Sequence, residues 1–143
     1  MDELSDDLLL LAVRDDGALA LPASLRFGLA GSELVRLAAA GHVDIVRKRI
    51  VVLNPGPAGD PLLDEALASM GGRRREPTAQ SWVARDRRGL VDRYLARAQD
   101  AGTVLAEPGT RLGLFPVTRW RVTDAGRAAR ARARLEAVAA SAG

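Results

Sequence analysis

The sequence contains no cysteine and a single histidine, His42, among its 143 residues. Without cysteine the chain has no disulfide, no thiolate zinc site, no iron–sulfur cluster and no cysteine nucleophile. A single histidine also excludes the two-His and three-His centres of catalytic zinc enzymes. We therefore predict no metal site and no cofactor.

Aromatic residues and lysine are also scarce. Aromatic side chains make up 3% of the sequence, a poor supply of stacking platforms for single-stranded nucleic acid. Lys48 is the only lysine, so the 21 basic residues, set against 18 acidic ones for a net charge of +3, are almost all arginine. Guanidinium groups stay charged to very high pH and bind phosphates in bidentate geometry. This bias favours an anionic partner but does not by itself establish one.

Long hydrophobic runs are absent as well. The longest apolar run, Leu8–Val13, is much too short to cross a bilayer. The acidic start of the chain, from Asp2 to Asp7, is the opposite of the basic n-region of a signal peptide. We therefore expect a cytoplasmic protein.

The length fits one domain, residues 1–143, and the hydrophobic periodicity predicts a mainly α fold: a single helical bundle with one or two short β-hairpins. N-cap residues, helix-ending glycines and apolar steps of three and four predict six helices, over Leu4–Val13, Ser24–Ala40, Pro61–Met70, Ala79–Val83, Val91–Ala101 and Ala125–Ala140. β-Branched residues predict a hairpin over Val43–Leu53 with the basic tip Arg47-Lys48-Arg49, and alternation around Pro108-Gly109 predicts a second hairpin over Val104–Val122.

Two groups of residues resemble catalytic ones and have plainer explanations. Asp60, Asp64 and Glu65 cluster in the first turns of a predicted helix, where acidic side chains cap free amides and complement the helix dipole. His42 follows the helix-ending Gly41, at a position that is usually exposed, and no Gly-x-Ser-x-Gly elbow accompanies it. We therefore predict that the protein is not an enzyme.

A row of arginines lies before and along the fifth predicted helix. Three of them precede this helix, and Arg93 and Arg97 continue along it at the i, i+4 spacing that places them on one face. Because a row of guanidinium groups can hold a phosphate, we assign as candidate ligands of an anionic lipid headgroup Arg85, Arg87, Arg88 and Arg93.

The segment 111–121 gathers apolar and aromatic residues between arginines. Its candidate residues for a membrane or dimer contact are Leu112, Leu114, Phe115, Val117, Arg119 and Trp120. At a lipid surface Trp lies at the headgroup level, Leu and Phe go deeper, and Arg pairs with phosphates. Alternatively, the hairpin packs its apolar side on the core or on a second subunit, and the residue chemistry leaves both interpretations open.

Five segments occur in the order that they have in a known family: Leu8–Leu11, Gly28–Gly31 running into the Leu34 helix, Gly59–Leu67, Trp82, and Leu112–Arg119. Together they resemble the Golgi phosphoprotein 3 family, including its bacterial members, over most of the chain. The resemblance implies a mostly helical domain whose hairpin, at Leu112–Val122 here, inserts in membranes and mediates dimerisation in eukaryotic members. It also implies binding of phosphatidylinositol 4-phosphate through a tryptophan and several arginines, and an adaptor role that links client proteins to coat proteins.

This chain departs from the family's phosphoinositide pocket at three positions. Leu21 stands at the place of the pocket tryptophan, and Ala30 replaces the arginine of a Gly-Leu-Arg-Gly motif. Val91 replaces one arginine of a later pair, whose other member corresponds to Arg88. Neighbouring arginines are the candidates to compensate for these losses.

We therefore predict a non-catalytic adaptor, peripherally associated with the inner face of a membrane, that binds anionic headgroups and has a homodimer contact and a client protein as further partners. At about 1 kcal/mol per basic residue, three or four arginines supply about 3–4 kcal/mol, so the hairpin has to add apolar transfer energy. The alternative is a winged-helix-like DNA-binding regulator that uses the helix and hairpin of residues 90–122. The apolar hairpin disfavours nucleic acid as a partner, because a DNA-contacting wing prefers a polar, basic tip.

Overall fold

The computed structural model describes residues 3–13, 22–71, 75–85, 87 and 89–142. Within these residues the chain forms six helices and two antiparallel hairpins, in the order α1 Glu3–Ala12, α2 Pro22–Ala39, β1 Val43–Val46, β2 Arg49–Val52, α3 Pro61–Met70, α4 Ala79–Ala84, α5 Leu90–Asp100, β3 Val104–Arg111, β4 Phe115–Val122 and α6 Ala125–Ala142. The predicted helical majority with two short hairpins is confirmed.

The helices do not form the single bundle that we expected. The chain divides into two compact units, a terminal unit of residues 1–26 with 89–143 and a central unit of residues 27–88. Each unit has its own hairpin and its own share of the helices. The fold is therefore mixed α and β, and the assignment of residues 1–143 to one domain stays a prediction.

The core of the central unit combines the buried stripe of α2 with the first hairpin, α3 and α4. Apolar side chains recur along α2 at helical spacing, and β2 packs against α3. The most deeply buried apolar side chains of this unit are Leu29, Leu37, Val43, Ile50, Ala66, Met70 and Trp82.

Helices α2 and α5 end in the motif that their glycines predict. At the end of α2, Gly41 adopts a φ of 81°. Its N–H donates to the Ala38 carbonyl (3.1 Å), and the next N–H, of His42, donates to the Leu37 carbonyl (2.9 Å). This pair of bonds is the Schellman motif, and α5 ends in the same way at Gly102, with a φ of 75°.

His42 is buried, with 7% of its surface exposed, which contradicts the expected exposure. Its Nδ1 donates to the Asn54 carbonyl (2.9 Å). Its own carbonyl accepts the N–H groups of Leu53 (2.8 Å) and Asn54 (3.1 Å). The residue after a Schellman glycine packs back on the helix it follows, so His42 closes the base of the first hairpin instead of facing solvent.

Helix α3 begins where the Asp60-Pro61 pair predicts. Asp60 has extended φ and ψ angles of −139° and 121°, its side chain accepts the Leu62 N–H (2.9 Å), and Pro61 occupies the first helical position. The same carboxylate lies 3.7 Å from a guanidinium nitrogen of Arg36. Asp60 therefore both starts α3 and ties it to α2.

The core of the terminal unit lies where α5 meets α1 and β3, and α6 packs against α1. An ion pair between Arg134 Nη2 and Asp7 Oδ2 (2.5 Å) joins α6 to α1. As predicted, α6 begins after Asp124, whose carboxylate accepts the Arg127 N–H (3.0 Å). The deeply buried apolar side chains of this unit are Leu9, Leu10, Leu90, Tyr94, Leu95, Ala98, Val104 and Ala131.

The second hairpin turns later than the sequence predicts. β3 and β4 pair from Val104↔Val122 to Arg111↔Phe115, so Pro108-Gly109 lies inside β3 and residues 112–114 make the turn. A strand of a two-stranded hairpin has a free edge, where a proline is tolerated. The long ladder also carries Val104 into the core, where it is 0% exposed, and this burial outweighs the local turn preference of Pro108-Gly109.

We expect Asp60→Ala to lower the free energy of unfolding by about 1 kcal/mol, because the Leu62 amide loses its cap. Asp60→Asn keeps the cap and removes only the ion pair with Arg36, so its loss should be smaller. Urea denaturation of both variants and the parent measures the difference. Equal losses for Ala and Asn would show that the cap contributes nothing.

Candidate functional site

The turn of the second hairpin presents three apolar side chains to solvent. Leu112 is 83% exposed, Leu114 80% and Phe115 59%. Because Arg111 and Phe115 form the last pair of the ladder, residues 112–114 are a three-residue loop. We call Leu112, Leu114 and Phe115 the apolar tip. An apolar cluster that stands out from a folded unit suits contact with a surface outside the chain.

Leu112 is strained as well as exposed. Its φ is 55°, and Gly113 after it has a φ of 70°. The left-handed conformation costs residues other than glycine roughly 1–2 kcal/mol, with Asn and Asp the best tolerated exceptions. The leucine therefore neither favours the turn nor fills the core.

The two faces of the second hairpin differ. Paired residues of antiparallel strands project from the same face, and neighbours along a strand project from opposite faces. By this register Phe115, Val117 and Arg119 share one face, whereas Trp120 shares the other face with the buried Val104. Trp120 is half-buried. The sequence suggested one aromatic cluster, but the register separates Phe115 from Trp120.

Cations follow the apolar tip along the Phe115 face. Arg121 Nε lies 3.1 Å from Glu107 Oε1, in an exposed ion pair. A Cβ built on Gly109 would lie 3.7 Å from Arg119 Nε, so the Arg119 side chain crosses the neighbouring strand over this glycine. The face therefore changes from apolar at the tip to cationic toward the base, with the exposed Arg119 between.

The four arginines assigned to a headgroup have different surroundings. Arg85 is exposed just after α4, and its backbone N–H donates to the Trp82 carbonyl (3.2 Å). Arg87 is half-buried in the central unit, whereas Arg93 is exposed on α5 of the terminal unit. Arg88 lies outside the described residues. Their joint binding of one headgroup stays a prediction.

Arg87 forms an ion pair with Glu33, a partner that the sequence analysis missed. Glu33 is fully buried in α2, and Arg87 Nη2 contacts its Oε1. The guanidinium carbon of Arg87 also lies 4.6 Å from the centre of the Trp82 ring. The Trp82 indole N–H donates to Ser69 Oγ (2.9 Å), and this hydroxyl donates to the Ala66 carbonyl (2.6 Å). The group therefore joins α2, α3, α4 and the segment after α4.

A signal for this pair was present in the sequence. Ala30, Glu33 and Leu37 follow one another at steps of three and four on the buried stripe of α2. A carboxylate at such a position requires a cation, because an unpaired buried charge is very costly. Which of the neighbouring arginines supplies that cation is fixed by the tertiary structure alone.

The carboxylates that resembled a catalytic cluster have structural partners. Asp60 caps α3, and Asp64 Oδ1 accepts the Ala58 N–H (2.7 Å). Glu65 is exposed on α3. In the part of the chain that the structure describes, no three His, Asp or Glu side chains gather as a metal site requires.

The sequence matches the family model described as Golgi phosphoprotein 3 (GPP34) over residues 4–143. The chain belongs to this family. A comparison with curated proteins finds no match. The family match includes both compact units, so the apolar tip and the Glu33–Arg87 pair are features of a Golgi phosphoprotein 3 family member. None of its described helices combines the length and apolar character needed to span a bilayer.

Two of the positions where this family member departs from the phosphoinositide pocket are visible in the structure. Ala30, at the place of the motif arginine, is 1% exposed within α2. Val91, at the place of a later arginine, is half-buried in the first turn of α5. Leu21, like Arg88, lies outside the described residues. Ala30 and Val91 therefore supply no cation, and any phosphate contact falls to other arginines.

Removal of Arg87 should destabilise the protein strongly. We expect Arg87→Ala to lower the free energy of unfolding by about 3 kcal/mol, because the Glu33 carboxylate stays buried without its partner. Arg87→Met combined with Glu33→Leu should recover most of this loss, since apolar side chains then replace the whole pair.

Urea denaturation measures these changes, and Arg85→Ala is the matched control. Arg85 is exposed and nearby in sequence, so its loss should change stability by no more than about 0.5 kcal/mol. Equal stabilities of Arg87→Ala and Arg85→Ala would contradict the assigned role of the ion pair.

Proposed function

We propose that this protein is a non-catalytic peripheral membrane protein that attaches to an anionic membrane surface through its second hairpin. The observation that carries the proposal is the apolar tip, whose leucines are 83% and 80% exposed and whose first leucine is held at a φ of 55°. Leu112, Leu114 and Phe115 enter the boundary between headgroups and acyl chains. Arg119, on the face of Phe115, lies at the level of the phosphates.

The energies make a two-part attachment necessary. Removing three apolar side chains from water contributes about 3–6 kcal/mol once their partial exposure is taken into account. Each arginine near an anionic surface adds about 1 kcal/mol. Either part alone gives marginal binding, and together they give stable but reversible attachment.

Membership of the Golgi phosphoprotein 3 family supports the proposal, because the resemblance implies membrane insertion of this hairpin and binding of anionic headgroups. The loss of cations at Ala30 and Val91 directs the proposal toward anionic lipid in general, bound by exposed arginines, more than toward one phosphoinositide pocket. In this proposal the protein acts as an adaptor that holds a client protein at the inner face of the membrane.

Two other functions compete for the same hairpin. A second copy of the chain can cover the apolar tip, which would make the tip a dimer contact. A winged-helix-like regulator would use α5 and the hairpin that follows it on DNA. The apolar tip argues against the second of these, and the experiment below separates all three.

The variant Leu112→Asn with Leu114→Asn should bind vesicles of phosphatidylcholine and phosphatidylglycerol at least tenfold more weakly than the parent. Loss of about 1.5 kcal/mol of apolar transfer energy accounts for a tenfold change. The melting temperature should not fall, because asparagine tolerates the left-handed conformation better than leucine. Co-sedimentation measures the binding.

Leu53→Asn is the matched control, because Leu53 is a 60% exposed leucine outside this hairpin. It should bind vesicles as the parent does. Vesicle binding that is the same for all three proteins, with a dimer lost only in the tip variant, would make the tip a subunit contact. Binding to duplex DNA with steep salt dependence, and none to vesicles, would favour the regulator.

A further inference from the structure

The first hairpin, in the central unit, turns through two cations. Arg47 and Lys48 stand between the paired residues Val46 and Arg49, with φ angles of 52° and 68°. A two-residue hairpin turn with both φ angles positive is of type I′, where Asn-Gly and similar pairs prevail. Arginine and lysine are sterically strained there, so local conformational preference does not explain their presence.

The fold does not use these two side chains. Both Arg47 and Lys48 are exposed, and neither side chain has a hydrogen bond or ion pair within the described part of the chain. Two positive charges are therefore held at a strained turn without a partner inside the protein. An anion from outside is the partner that their charge fits.

The backbone of this turn is held in place. The Lys48 carbonyl accepts the Ala79 N–H (2.9 Å), so the turn is bonded to the start of α4. Arg49 Nη1 donates to the Glu76 carbonyl (2.5 Å), which fixes the third basic residue against the same segment. The cations at the turn therefore project from a fixed backbone, and a contact that they make costs little ordering.

Exposed aliphatic side chains flank the cations. Ile45 is 40% exposed and Val46 is 47% exposed. Aliphatic residues next to cations fit the boundary of a lipid bilayer, where the chains face the acyl region and the charges face phosphates. A nucleic-acid contact would favour polar or aromatic neighbours, and this turn has neither.

We propose that residues 45–48, at the tip of the first hairpin, are a second membrane contact. Arg47 and Lys48 bind the phosphates of an anionic lipid surface, and Ile45 and Val46 lie at the boundary between headgroups and acyl chains. This basic tip belongs to a different compact unit from the apolar tip. Its function goes beyond the proposed role of the second hairpin and does not depend on it.

The test replaces the basic tip by the preferred turn sequence, Arg47→Asn with Lys48→Gly. Asn-Gly suits a type I′ turn, so this variant should melt no lower than the parent although both charges are gone. Its partition onto phosphatidylcholine vesicles that contain phosphatidylglycerol should fall about 25-fold. That figure is about fivefold for each cation, the equivalent of about 1 kcal/mol per basic residue at an anionic surface.

A control variant separates the position of the charges from their number. Arg130→Gln with Arg132→Gln removes the same net charge from exposed positions on α6. This variant should bind charged vesicles nearly as the parent does. A loss as large as that of the Asn-Gly variant would make net charge the cause and overturn the proposal.

Lys48 also gives a readout that needs no substitution, because it is the only lysine in the chain. Acylation with an amine-reactive ester, followed by mass spectrometry of the peptide that contains residue 48, reports its accessibility. Vesicles with phosphatidylglycerol should slow the acylation of Lys48, and vesicles of phosphatidylcholine alone should not. Equal rates with both kinds of vesicle would contradict a phosphate contact at this residue.

The two membrane proposals fail separately. The Asn-Gly substitution should cause the same fold-loss in the parent and in the Leu112→Asn, Leu114→Asn background. If the apolar tip has no membrane role, its variant loses nothing and the loss at the basic tip remains. The basic-tip proposal is overturned if the Asn-Gly variant binds charged vesicles like the parent. It is also overturned if the parent prefers duplex DNA to vesicles and this variant alone loses the DNA binding.

Discussion

The arrangement of the central unit depends on one buried carboxylate. Glu33 has no exposed surface in the middle of α2, and an unpaired charge there would be very costly. Arg87 supplies the compensating charge from the chain after α4 and covers the Trp82 ring on the way. The pair therefore holds α4 against α2. Because α4 starts at the segment around Thr78 that accepts and donates bonds with the first hairpin, the order imposed by Glu33 extends to the turn at Lys48.

Much of the fold follows from signals that act over one or two turns of chain. Asp60 before a proline starts α3, and Gly41 ends α2, because caps satisfy backbone groups that are local to the helix end. The turn of the second hairpin was not predictable in this way. Pro108-Gly109 has the stronger turn preference, but a turn there would break the pairing that carries Val104 into the core beside α5. Burial of a residue far along the ladder outweighs the preference of the two residues at the expected turn.

The candidate site was predictable in composition and not in arrangement. The sequence identifies arginines and scarce aromatics as the residues of interest, but Arg85 and Arg87 are equivalent at that level. Only the fold places Arg87 over a buried carboxylate and leaves Arg85 exposed. Likewise the parity of the strand, set by its register, turns Trp120 to the face of the buried Val104 and leaves Phe115 on the other. Facts of this kind depend on which surfaces are covered, and local sequence does not encode them.

Arg47, Lys48 and Leu112 are the non-glycine residues with positive φ in the described ranges, and all three lie at hairpin turns with exposed side chains. Strain at a functional position lowers stability and persists because the surrounding ladder determines the turn. In the two proposals this strain serves two different physical forces. Insertion of an apolar tip is insensitive to salt, whereas a cationic tip is screened over about 10 Å at 0.1 M ionic strength. Two contacts on one chain also multiply their affinities. A protein attached in both ways would therefore loosen as salt rises or as the anionic lipid content falls, while its apolar contact alone keeps a weaker hold on the membrane.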